Sequence, residues 1–336
     1  MKNHDTISDE EFNRIFDEQS EVINEQLDRE ILIAMIGDVN AGKSSTINRL
    51  MGGEVAPVGA KPGETTEVQK HIYKDQIVFV DTPGLDDVQN EHSAETMKFY
   101  KEADIILFFL NAAGTVLSET ELVSFKKIAK NNKAIIFVLN KIDAAEDIGG
   151  LVKYIQDHTN HDYPVAPVSS KTGENFGMLQ DEIMKLLEVV GKDIKMGKNM
   201  ADKSRTANKW ILAAGASSAT IGAVPIPGAD FVPLTALQVG LLLRLSTLYG
   251  KPISRDNAKE LILATITGNI GKTIFRQIVK FVPGAGMVVG ASVAGGMTLA
   301  LGYAVKYAHE NNIELTSAAL DPIYKMFLKK EQREIK

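Results

Sequence analysis

Four apolar, β-rich runs recur between helix-patterned stretches in the first part of the chain: "ILIAMI" from Ile31, "IVFVD" from Ile77, "DIILFFL" from Asp104 and "AIIFVLN" from Ala134. Each run is continuous rather than alternating, which is the pattern of a strand buried on both faces. Strands of that kind alternating with helices pack as a mostly parallel sheet wrapped by helices. This rhythm confines residues 30–190 to an α/β domain.

At 336 residues the chain is long enough for a second domain with its own core. With 44% hydrophobic and 24% charged residues it is globular in composition, not disordered. It has no cysteine, which excludes disulfide scaffolds and thiolate metal sites. The acidic N-terminus, without an apolar core, reads as no signal peptide. Residues 1–29 are expected to form an amphipathic helix carrying Phe12, Ile15, Phe16, Ile23 and Leu27 near one face. A polar, basic linker is expected over 191–205, followed by an all-α domain of helical hairpins over 206–336. Two Pro- and Gly-containing bends, "VPIPGADFV" at 224–232 and "FVPGAGMVV" at 281–289, would close those hairpins, and a last helix is expected from Asp321-Pro322.

The first apolar run leads into "GDVNAGKSS". Gly37, Gly42, Lys43 and Ser44 satisfy G-x-x-x-x-G-K-[ST] between a strand and a helix. Backbone N–H groups of Asp38 to Ser45, with Asn40 and Ala41 between the glycines, would curl around phosphates at a helix N-terminus. Lys43 would reach the β- and γ-phosphates, and the Ser44 hydroxyl would ligate Mg²⁺. "DTPG" ends the second run, placing the Asp81 carboxylate where it can hold the Mg²⁺ shell and the Gly84 N–H where it can meet a γ-phosphate. Between them lies "KPGETTEV", in which Thr66 or Thr65 would close over Mg²⁺. "FVLNKID" supplies Asn140, Lys141 and Asp143, and a carboxylate there can accept two hydrogen bonds from a guanine edge, whereas adenine offers no such donor pair. "VSSKTGEN" supplies Ser169, Ser170 and Lys171 to cover the base.

The set GxxNxGKSS, TT, DTPGL, NKxD and SxK resembles the translation-factor class of P-loop GTPases, close to the Era, TrmE and EngA group, over residues 30–190. The resemblance implies a G domain that binds GTP and GDP with Mg²⁺ and hydrolyses GTP. Where Ras-type enzymes place a water-orienting Gln, this chain has Leu85, which cannot hydrogen-bond, so slow intrinsic hydrolysis is expected. In TrmE-like enzymes an Asn at the position of Asn40 ligates K⁺ against the phosphates, in a nucleotide-dependent dimer; the alternative is that Asn40 only stabilises the loop. The residues after 200 resemble bacterial helical domains that follow such G domains and associate with membranes, on the basis of "PIPGADFVPLTALQ" and the Gly/Ala-rich helices.

Charge divides the same way. The net charge is −6, yet 21 Lys and Arg face 34 Asp and Glu in the first 200 residues, against sixteen and nine from Ala201 onward. A basic back half favours an anionic partner. Phe281–Val305 is uncharged and long enough to cross a bilayer, with Gly286, Gly290, Ala294 and Gly302 forming a small-residue stripe. Lys203, Arg205, Lys209, Arg244, Lys280 and Lys306 flank the apolar segments, with Trp210 beside Lys209. Lipid contact through 206–310, at the cytoplasmic face of the cell membrane, is the favoured expectation. A tightly packed soluble bundle would carry the same letters, and Pro225, Pro227 and Pro233 shorten the earlier segments. Nucleic acid is disfavoured, because no basic G-x-x-G loop and no interleaved aromatics are present.

Overall fold

The computed structural model describes residues 7–56, 69–81, 93–222, 231–267, 293–319 and 322–323. The chain divides into two compact units, Gln26–Asp202 and Met1–Glu25 together with Lys203–Lys336.

In the unit Gln26–Asp202 a six-stranded sheet runs β2-β3-β1-β4-β5-β6. Its strands are β1 (Ile31–Ile36), β2 (Gln69–Tyr73), β3 (Ile77–Asp81), β4 (Ile105–Asn111), β5 (Ile135–Asn140) and β6 (Val165–Pro167). All neighbours pair in parallel except β2, which is antiparallel to β3. The helices are α2 (Lys43–Met51), α3 (Ser93–Glu102), α4 (Glu119–Ala129), α5 (Ile148–His158), α6 (Phe176–Val189) and α7 (Asp193–Asn199). The four apolar runs form β1, β3, β4 and β5, and nearly every residue in them is buried. Phe108, Phe125, Phe137 and Tyr163 pack with ring centroids 5.1–6.4 Å apart on one side of the sheet. Ser118 starts α4 with a capping box to Glu121, fixing the helix that lies over this cluster. Parallel pairing brings the ends of β1, β3 and β5 to one edge, where open α/β sheets bind ligands.

The stretch 191–205 was expected to be a linker, but most of it is structured. α7 buries Ile194, Met196 and Lys195, and Lys192 Nζ sits 2.6 and 2.7 Å from the two oxygens of Asp104. That carboxylate also accepts from Leu32 N at 2.8 Å, so α7 is anchored to the start of β1 through one acid. The polar letters of "GKDIKMGKNM" conceal an apolar face.

The second unit is helical: α1 (Asp9–Asp28, to Glu25), α8 (Lys203–Ile221), α9 (Phe231–Tyr249), α10 (Arg255–Thr267) and α11 (Val293–Glu310). α8 and α11 are antiparallel and in close approach. A Cβ on Gly215 would lie 2.5 Å from Leu299 Cδ2, and one on Gly302 would lie 2.8 Å from Ile211 Cγ1. α9 runs parallel to α11, with Gln238 bonded to Thr298 and Ser246 to His309. Thr298 also pairs with Ser218 at 2.8 Å, so one hydroxyl ties three helices together in the interior. α1 joins this unit although it lies at the other end of the sequence. Phe12 and Ile15 are buried, Asp17 and Asp9 pair with Arg255 and Lys259, and the same two cations lie over Phe16 and Phe12.

The uncharged run Phe281–Val305 therefore has two parts. From Val293 it is the first part of α11, exposed at Val293 but mostly buried against protein from Gly295 on; residues 281–292 lie outside the described residues, as do the bend at 224–230 and nearly all of the expected last helix. Among the described residues one helix, Phe231–Tyr249, is long and apolar enough to cross a membrane, and more than half of it is buried.

Candidate nucleotide site

The loop between β1 and α2 has the shape expected of a phosphate cradle. The N-cap residue Gly42 has φ 89° and no side chain caps the helix, leaving the first N–H groups of α2 for an anion. A Cβ on Gly42 would stand 2.1 Å from Asn140 Nδ2, and one on Gly37 would stand 2.6 Å from the Phe109 carbonyl oxygen. Both glycines are therefore required by space as well as by their positive φ. Asn40 is exposed at φ 67°, at the crest of a turn closed by Ala41 N donating to the Asp38 carbonyl at 3.1 Å. Lys43 Nζ donates to the carbonyls of Gly37 at 2.7 Å and Asp38 at 3.2 Å. Ser44 and Ser45 occupy the first turn of α2, half-buried.

Asp81 ends β3 opposite Met35 of β1. Its Oδ1 lies 3.6 Å from Lys43 Nζ and is buried without a hydrogen-bond donor. Burial pushes its carboxyl upward, and the neighbouring Lys43 and then His71 oppose the shift. An orphaned buried carboxylate oxygen beside a phosphate loop fits the shell of a hard divalent cation. Thr65, Thr66, Gly84 and Leu85 lie outside the described residues.

The base end of the site is held by one buried amide. Asn140 Nδ2 donates to the Ala41 carbonyl at 2.8 Å and to Ser170 Oγ at 3.2 Å, while its Oδ1 accepts from Ser170 N at 3.0 Å. Asn140 thus joins the phosphate loop to the loop after β6. Lys141 follows at φ 64°, turning the chain so that Asp143 faces the same loop. Ser169 Oγ donates to Asp143 Oδ1 at 2.6 Å and accepts from Thr172 N at 3.1 Å. That hydroxyl holds the Asp143 carboxyl below its ordinary range, with a smaller contribution from Lys171, whose Nζ is 3.7 Å away. The loops after β5 and β6 therefore present an ionised carboxylate, an acceptor that suits paired N–H donors.

Every sequence-predicted site residue that is described falls in one of these two clusters. Arg49 was missed: on α2, its Nε and an Nη donate to the carbonyls of Ser170 and Lys171 at 3.0 and 2.9 Å. Asn48 was missed too, and it organises the turn after α2 through Val55 N, Ala56 N and the Ala56 carbonyl. Neither belongs to a spaced motif that sequence reading could have used.

Part of the chain is similar in sequence to known proteins. Residues 32–141 match the family model described as 50S ribosome-binding GTPase. The chain is 34% identical over 193 residues to GTPase Der of Nautilia profundicola, covering 54% of this chain and 40% of that protein. It is 32% identical over 169 residues to GTPase Era of Aquifex aeolicus, covering 46% of this chain and 56% of that one. It thus spans about half or less of the length of these curated relatives. Among solved structures, Era in complex with MgGDPNP and nucleotides 1506–1542 of 16S ribosomal RNA is 28% identical, with a TM-score of 0.39, covering 47% of this chain and 57% of that one. Within the unit Gln26–Asp202, residues 32–141 are thus similar to the 50S ribosome-binding GTPase family, and the chain resembles GTPases Der and Era over about half of its length.

Proposed function

We propose that the protein binds GTP and GDP and hydrolyses GTP slowly, using the conformational difference between the two states as a switch. The observation that carries this reading is Asn140, which ties the loop before α2 to Ser170 through hydrogen bonds of 2.8 to 3.2 Å, while the neighbouring Ser169 hydroxyl donates to an ionised Asp143 at 2.6 Å. Asp143 accepts from the guanine edge, and Ser169 holds it in place. Ser170 and Lys171 cover the base, and Asp38 to Ser45 cradle the phosphates. Lys43 exchanges its loop carbonyls for the β- and γ-phosphates. Ser44 and Asp81, with Thr66 from the intervening loop, would hold Mg²⁺, which supplies charge neutralisation on the phosphates. The Gly84 N–H would meet the γ-phosphate. Asn40, exposed at the crest of the loop, would recruit K⁺ in a nucleotide-dependent homodimer, as the resemblance to TrmE-like enzymes implies.

The helical unit is proposed to bind the cytoplasmic face of the membrane under nucleotide control. Support comes from the basic excess after Ala201, from the span-like hydropathy of α9 and from exposed Val232 and Val293 at the starts of α9 and α11. These starts lie at the same end of the bundle as the end of α8, given the antiparallel and parallel packing described above. A second reading, a GTP-dependent switch that acts on a ribosomal partner, is favoured by the family model's description and by the Era and Der relatives. Flotation of the full chain with anionic liposomes, with GDP and with a non-hydrolysable GTP analogue, tests the membrane reading. Recovery in the floated fraction in one nucleotide state supports it. A chain that stays in the soluble fraction in both states, and co-sediments with ribosomes, replaces it with the second.

A further inference from the structure

The guanidinium of Arg49 is built into the base end of the site from the phosphate side. It projects from the last turn of α2, six residues after Lys43. Its Nε and one Nη donate to two consecutive carbonyls, Ser170 at 3.0 Å and Lys171 at 2.9 Å. A planar fork suits two adjacent acceptors in a way that a lysine ammonium does not. The ring of Phe176, the first residue of α6, lies 5.6 Å from Arg49 Cζ and covers one face of the guanidinium. Gly173, the residue two places beyond Lys171, leaves the space the fork needs, since a Cβ there would stand 2.4 Å from an Arg49 Nη. The loop held in this way is the one whose Ser169 hydroxyl fixes Asp143 at 2.6 Å.

We propose that Arg49 is a positioning residue for base recognition: it fixes the Ser169–Lys171 loop to the phosphate-binding helix and so sets where Asp143 meets the base. This rests on the reading of the site as a guanine-nucleotide pocket. Two hydrogen-bonded layers then join the phosphate and base ends, the buried amide of Asn140 and the outer guanidinium of Arg49. Because the outer layer is solvent-exposed, its loss leaves the domain folded and loosens only the loop. Arg49 donates to the Ser170 and Lys171 carbonyls at the base end, so chemistry on bound GTP is expected to proceed unchanged.

The test uses the full chain and three measurements on Arg49→Ala and Arg49→Lys. These are the release rate of a fluorescent GDP, the affinity ratio of GDP to IDP, and the single-turnover hydrolysis rate of pre-bound GTP. IDP lacks the 2-amino group that would donate to Asp143, so the ratio reports the placement of that carboxylate. Arg49→Ala is expected to release GDP about tenfold faster, the scale of one lost charge-assisted interaction, and to narrow the GDP preference over IDP. Hydrolysis of bound GTP and the melting temperature of the nucleotide-free protein should stay at the wild-type values in both variants, and Arg49→Lys should fall between wild type and Arg49→Ala in GDP release and preference. Wild-type release and preference in Arg49→Ala would overturn the proposal. So would an equal loss for GDP and IDP accompanied by a lower melting temperature, which is the mark of a merely structural residue. A wild-type chain with no preference for GDP over ADP would instead remove the pocket reading on which the proposal stands.

Discussion

Single atoms decide whether the site can exist. Gly42 is the sharpest case: a methyl group there meets the Asn140 amide at 2.1 Å in a backbone conformation that side chains resist. Gly42→Ala is therefore expected to cost about 1–3 kcal/mol locally, read as roughly a ten- to hundredfold loss of GDP affinity in equilibrium titration. Unchanged affinity would mean that the Asn140 tie is dispensable. The spacing of the motifs singled out Asn140 and Asp143 as a pair for the base, and in the structure both bond to the loop after β6, through Ser170 and Ser169. It did not reveal that the Asn140 amide spends one donor on the Ala41 carbonyl, because a contact across 99 residues leaves no trace in spacing. Arg49 was invisible for a related reason. It donates to backbone carbonyls, and a carbonyl belongs to every residue alike, so no side-chain pattern records its partner.

At the scale of elements, the four apolar runs were legible as strands, and all four are, because continuous burial leaves a continuous apolar string. The helical unit was harder to read. A run rich in Gly and Ala describes both lipid-spanning helices and tightly packed soluble ones, and the described part of that run, in α11, is packed on α8. Gly302→Ala puts a methyl 2.8 Å from Ile211, so overpacking of about 1–3 kcal/mol is expected, seen as a lower melting temperature of the helical unit. No change would mean that α8 and α11 are not in this close contact in solution. α11 also carries His309, buried against Ser246 and the Tyr249 ring, with Lys251 bonded to its carbonyl. Burial, and then Lys251, lower its pKa from 6.5 to about 4. The folded state thus binds fewer protons than the unfolded state between those values. Stability is fully present above pH 6.5 and falls as the pH drops towards 4, by about 3 kcal/mol at most. Urea midpoints of the wild type and His309→Gln at pH 7.5 and pH 5 check the sign. The wild type should lose stability on acidification, and the variant should lose less of it.

For the whole molecule, the division into units determines which fragments stand alone. The chain order suggests cutting after the G domain and keeping everything before it, yet α1 belongs to the helical unit and α7 to the other. The amphipathic face of α1 was legible from its periodicity. Its partner was not, since Asp17 pairs with Arg255 from the far end of the sequence. Residues 26–202 are expected to form a soluble, compact fragment that binds GDP. Residues 1–195 should self-associate on gel filtration, because Phe12, Ile15 and Ile23 lose their cover and α7 is cut through. If 1–195 is the better-behaved fragment, the division into units is wrong.

Whatever the helical unit binds, the central claim is that this site selects guanine through Asp143 while Asn140 ties it to the phosphate cradle. Calorimetric titration of the full chain in Mg²⁺ with GTP, ATP and xanthosine triphosphate, repeated on Asp143→Asn, tests it most directly. Strong binding of GTP with little of ATP, and a shift of the variant from GTP towards the xanthine nucleotide, is the expected result. Equal affinity for ATP and GTP in the wild-type protein would contradict it.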